Sequence, residues 1–208
     1  MKEISHKIEL IFDSLYLFAA FMIGLYLLLH AGEDQSRILA GTMALVLVGG
    51  DAFHLMPRIF QLKNLLGRGK QITSITMTVF YFLLWQIGQT LYEDPSSQIL
   101  TIIIYILGAV RIILCLLPQN RWTSEQPPVQ YGILRNIPFF VMGLVIAGWY
   151  FIHSGVVGSL SLMWLAILIS FACYMPVVLW AHKKPVLGIL MLPKTCAYIW
   201  MLTMCLGL

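Results

Sequence analysis

The sequence predicts an all-α, polytopic bundle of seven transmembrane helices, and three observations carry that expectation. Apolar residues fill 60% of the 208 positions and charged residues only 11%, with a mean hydropathy of +0.86, a balance that belongs to membrane proteins and not to soluble domains. Apolar runs near the ~20 residues that cross a bilayer recur along the chain between short polar segments. The basic residues gather in alternate polar segments. They give a formal charge of +4, which the charge rule for membrane loops explains, so nucleic acid is excluded as a partner.

The first run, about 8–31, follows Lys2 and Lys7. It is longer and bulkier, through Leu27, Leu28 and Leu29, than the core of a signal peptide, and it is expected to stay as a helix. The polar stretch 32–37 precedes the second span, about 38–62. Residues 63–71, basic and glycine-containing, read as a loop before the third span, about 72–92. The acidic loop Glu93-Asp94-Pro95-Ser96-Ser97 marks a turn, and the fourth span follows at about 98–117. The hydrophilic segment 118–130, with Pro127-Pro128 as a helix breaker, leads to a fifth span at about 131–154. Residues 155–158 separate it from the sixth, about 159–181, and His182-Lys183-Lys184-Pro185 leads into the seventh, about 186–206. With seven spans, Lys2, Lys7, Lys63, Arg68, Lys70, Arg121, Lys183 and Lys184 all fall on one side, which predicts a cytoplasmic N-terminus and an outer C-terminus.

Within the second span, Asp51, His54 and Arg58 stand at i, i+3 and i+7 and share a helix face. A carboxylate in hydrocarbon costs at least a few kcal/mol, so Asp51 is expected to face the bundle interior with a partner or a task. Counting ~1.5 Å per residue puts Arg111, Lys194 and Tyr174 at depths comparable with Asp51, and the charges of several helices are expected to meet in a polar pocket in the cytoplasmic half. Arg58 and Arg135 are expected to reach the inner interface, and Trp122, Trp149, Trp180 and Tyr92 to sit in the aromatic belts. Gly49, Gly50, Gly108, Gly143 and Gly148 are candidates for close helix contacts, and Pro57, Pro138, Pro176 and Pro193 for kinks. One histidine and one acid make a poor metal nucleus, and Cys115, Cys173, Cys196 and Cys205 have no paired spacing, so no metal and no cofactor are expected.

Gly50-Asp51-Ala52-Phe53-His54-Leu55-Met56-Pro57-Arg58 resembles the Gly-Asp-Ala-x-x-Leu-x-Pro-Arg element of the lysoplasmalogenase-like YhhN family, polytopic proteins whose characterised members hydrolyse the vinyl ether of lysoplasmalogens. Leu134-Arg135-Asn136-Ile137-Pro138 opens the fifth span much as a family helix opens. The family carries a second acid on its penultimate helix, where this chain reads Cys173-Tyr174-Met175-Pro176, so only Asp51 carries over as a catalytic residue.

The expected function is an intramembrane hydrolase for a lysophospholipid-like substrate, in particular a vinyl ether, in the plasma membrane. Asp51 and His54 are the catalytic candidates, and Arg111, Lys194 and Tyr174 the substrate-binding ones. Two other readings stay open. The same charges suit a carrier or receptor for a small amphipathic ligand, and a lysine on the seventh of seven helices suits a retinal-type pigment.

Overall fold

The computed structural model describes the backbone of residues 2–59, 63–92, 94–124 and 126–208, and the side chains of 10–57, 65–92, 94–124 and 126–208. Among the described residues there are seven α-helices and no strand. They are α1 (Lys2–Leu29), α2 (Gln35–Ile59), α3 (Lys63–Tyr92), α4 (Ser97–Leu116), α5 (Val129–Ile152), α6 (Met163–Trp180) and α7 (Met191–Cys205). Short 3₁₀ segments occupy Pro118–Asn120, Gly158–Leu160 and Pro185–Leu190. Each helix packs on the next in the chain, and α7 returns to α1 and α2, closing a ring. Arg37 fastens that closure: its Nε and Nη2 donate to the Leu208 carbonyl at 3.0 and 2.9 Å.

The faces of α4 show which solvent the molecule is built for. Ile99, Ile102, Ile106 and Ile113 form an exposed apolar stripe, whereas Ile104, Gly108, Arg111 and Cys115 are buried. The charge is inside and the hydrocarbon outside, the reverse of a soluble amphipathic helix. Among the described residues, six helical segments are long and apolar enough to cross a membrane, which makes the chain a multi-pass membrane protein. Of the seven spans expected, the one missing from this set is α3. Threonines and glutamines dilute its hydropathy, and they have partners. Gln89 Nε2 and Trp85 Nε1 both donate to Thr101 Oγ1 on α4, at 2.6 and 3.1 Å, and Gln86 Nε2 donates to Tyr105 OH at 2.8 Å. Packed against α2, α4 and α5, α3 contributes Phe80, Tyr81, Leu84 and Trp85 to the core.

Four boundaries differ from expectation, the first being α1, which begins at Lys2 and not at about residue 8. Residues 63–71 are not a loop: α3 begins at Lys63, and its glycines serve packing. A Cβ on Gly67 would collide with the Trp122 carbonyl, and one on Gly69 with the Phe53 carbonyl. The sixth span is split, with Gly158–Leu160 as a 3₁₀ turn before α6 begins at Met163. The seventh opens as the 3₁₀ segment Pro185–Leu190, and α7 proper starts only at Met191. Pro193 is therefore in the first turn of α7, where a missing N–H costs little, and not at a mid-helix kink. The end of the second span at 60–62 lies outside the described residues, as does the side chain of Arg58.

Glycine contacts divide. Gly50, Gly108 and Gly143 abut Thr76, Phe82 and Phe171, whereas nothing lies within 4 Å of a Cβ on Gly49 or Gly148. Trp149 is not in a belt. It is buried against Trp85, ring centroids 5.1 Å apart. Arg135 donates to Asn120 Oδ1 at 2.8 Å and stacks over Trp122 at 4.1 Å, so loop residues hold it. At the other end of the bundle, Asp94 Oδ1 accepts the Ser96 N–H at 2.8 Å, and Asp94 Oδ2 lies 3.4 Å from His153 Nε2. The Ser96 amide chiefly, and His153 in addition, hold the Asp94 carboxyl below its ordinary range.

Candidate functional site

The site begins with a glycine. At Gly50 the bare backbone of α2 lets α3 come close enough for Thr73 Oγ1 to donate to the Gly50 carbonyl at 2.7 Å. Asp51, the next residue, is turned ~100° around α2 by helix geometry. Its carboxylate meets α1, where Tyr16 OH donates to Asp51 Oδ2 at 2.7 Å. Tyr16 is 4% exposed, so this bond is made out of contact with bulk solvent.

Beside that pair lies a cavity of about 140 Å³. Asp13 and Tyr16 line it from α1, Asp51 and His54 from α2, and Thr73 from α3. The remaining wall is the irregular start of the last span, with Gly188, Lys194 and Thr195. Non-α backbone at membrane depth is tolerated where it borders a cavity, and the 3₁₀ segment does so here. The Lys194 ammonium lies 4.9 Å from the Tyr174 ring centroid and 4.8 Å from that of Tyr198. Two aromatic faces thus hold a cation whose charge also acts on Asp51.

Of the residues singled out from the sequence, Asp51, His54 and Lys194 share the cavity. Tyr174 stands behind Lys194 with its OH turned away, donating to Asn136 Oδ1 at 3.0 Å. Arg111 is not on the cavity wall; its guanidinium carbon lies 3.2 Å from the Phe139 ring centroid. Sequence reasoning left out Tyr16, Thr73 and Thr195. Asp13 and Tyr16 repeat on α1 the i, i+3 spacing of Asp51 and His54, and that echo was the available signal.

The constellation has the parts for proton transfer: a carboxyl oriented by a phenol, an imidazole one turn away and an ammonium across the cavity. Among the described residues, no three of His, Cys, Asp and Glu gather closely enough to hold a metal ion. In comparisons with known proteins, the chain matches no family model, no curated protein and no solved structure.

Proposed function

We propose that the chain is an intramembrane hydrolase acting on a lysophospholipid-like substrate, with a vinyl ether as the bond cleaved. The observation that carries this reading is the cavity in which Asp51, oriented by Tyr16, shares a wall with His54 and faces Lys194. The resemblance of Gly50-Asp51 through Arg58 to the YhhN element points the same way. A volume of about 140 Å³ admits water and the reacting end of a lipid, whose chain then remains in the bilayer.

Asp51, in its acid form, gives a proton to the vinyl carbon, and the oxocarbenium ion that results takes up water. His54 accepts the proton that the water loses, and the hemiacetal collapses to a fatty aldehyde and the chain-free glycerophospho alcohol, the proton then returning from His54 to Asp51. Lys194 holds the phosphate. In this reading α3 also crosses the bilayer, making seven spans with the N-terminus cytoplasmic and the site in the inner half. A plasma membrane is the proposed location.

The test is turnover of lysoplasmalogen and of ordinary lysophospholipid by the purified protein, beside folded Asp51→Asn and Tyr16→Phe variants. The expected result is loss of at least ~100-fold in kcat for Asp51→Asn. Tyr16→Phe, which removes one hydrogen bond to the acid, is expected to lower kcat about tenfold with KM little changed. No turnover of either lipid rejects the hydrolase. The carrier or receptor then stands, favoured by the fixed position of Lys194 between two aromatic rings, a geometry suited to retaining a ligand.

A further inference from the structure

Arg111 is the charge that the cavity leaves over. Its side chain is 2% exposed on the inner face of α4. A guanidinium cannot shed its proton to escape burial as an amine can, so the charge persists wherever the fold puts it. The Phe139 ring beneath it, centroid 3.2 Å from the guanidinium carbon, offers a π face but no acceptor for N–H groups.

Nε and Nη1 of Arg111 are buried with no hydrogen-bond partner. Tyr81 OH is a third buried group that makes no well-formed hydrogen bond, with the hydroxyls of Ser170 and Tyr198 as its polar neighbours. Arg111 and Tyr81 belong to one cluster, for the Tyr81 ring meets Phe139 edge-on with centroids 5.1 Å apart. The ionisable groups around Arg111 are Tyr174, Cys115, Tyr198 and Tyr81, and none of them is a carboxylate. Asp51 already faces Lys194. An uncompensated buried cation is strongly destabilising, and donors without acceptors add to that cost.

We propose that Arg111 and Tyr81 form a binding site for a small monovalent anion of the halide class, at the junction of α3, α4 and α5. A halide only accepts hydrogen bonds, takes them from any direction and cancels one charge. A phosphate carries more charge at neutral pH than one guanidinium cancels and needs more donors than this aromatic cluster, with Phe139 against Phe171, supplies. The anion would tie α4 to α3 and α5, and this site is separate from the proposed catalytic cavity.

The test uses the full-length protein in detergent with gluconate as the sole anion, titrated with bromide at constant ionic strength. Thermal unfolding is followed, together with the halide released on denaturation. The expected result is an unfolding midpoint that rises by about 5 °C and saturates. Bromide is less protective than gluconate as a bulk salt, so a saturable rise reports a site. Arg111→Met abolishes the rise. Should that variant not fold, Tyr81→Phe, which deletes one donor, is expected to raise the bromide concentration at half-effect about tenfold. Cys115→Ala is expected to keep the full response. A wild-type midpoint insensitive to bromide, with no halide released, overturns the proposal: water or the Cys115 sulfur then satisfies the guanidinium. A full response retained in folded Arg111→Met overturns it too.

Discussion

A carboxylate in an apolar run announces itself, which is why Asp51 was legible from the sequence while its partner was not. Tyr16, among leucines and phenylalanines, is indistinguishable in one dimension from a core or belt tyrosine, and only the fold brings its OH within 2.7 Å of Asp51. Arg111 shows the converse limit: counting residues along a helix gives height but not azimuth, so a charge level with Asp51 need not face it. At Asp94 the residue scale carries a prediction. Because its folded pKa is depressed, the stability it contributes is present above the unfolded value of ~3.9 and is lost as pH falls through the lower folded value. The thermal midpoint of Asp94→Ala is expected to lie slightly below that of the wild type at neutral pH. The gap should close on acidification below about pH 4, and a gap independent of pH would contradict the role given to the carboxylate.

Glycine carries two meanings in a membrane sequence, and at the scale of elements the difference decided where α3 begins. Gly67 and Gly69 look like loop residues beside Arg68 and Lys70, yet both admit another backbone at close range. The pair Gly49-Gly50 gives a direct test, since only one of the two touches α3. Gly50→Ala drives a methyl into Thr76 and is expected to destabilise by about 1–3 kcal/mol through overpacking. Gly49→Ala meets open space and is expected to be neutral or to stabilise by up to ~1 kcal/mol. Thermal unfolding in one detergent compares them, and equal effects would remove the argument that Gly50 sets the α2 to α3 distance. The remaining helix ends were readable to within a few residues because proline, glycine and charge change together there, as at Asp94-Pro95 and at 182–185.

For the molecule as a whole, composition disclosed the solvent but not the arrangement. Among the described residues six segments meet the hydropathy of a span; α3 falls short because threonines and glutamines dilute it, and the neighbours that satisfy those polar groups are not legible in a sequence. Whether α3 crosses is decided by the sides on which its flanking loops lie. With Cys173 and Cys196 replaced, single cysteines at Ser96 and at Ser124 are exposed to an impermeant thiol reagent in intact cells. Seven spans with the N-terminus inside predict labelling at Ser96→Cys and protection at Ser124→Cys until the membrane is opened. Glu33→Cys, on the loop between α1 and α2, completes the reading: labelled together with Ser96→Cys it means that α3 crosses, labelling of one without the other leaves α3 without a crossing, and protection of both inverts the bundle. Labelling at both Ser96→Cys and Ser124→Cys, or at neither, leaves α4 without a crossing.

The 3₁₀ segment Pro185–Leu190 also acts as a rotational offset. A 3₁₀ helix turns ~120° per residue where an α-helix turns ~100°, so these six residues advance α7 by roughly 120° relative to a continuous α-helix. Lys194 and Thr195 owe their aim at the cavity to that accumulated angle. Their bearing is thus set by how many residues upstream take the tighter winding, and a change in that count would swing the ammonium, with Tyr198 on the same helix, away from Tyr174 on α6 without any change of side-chain identity in the cavity wall.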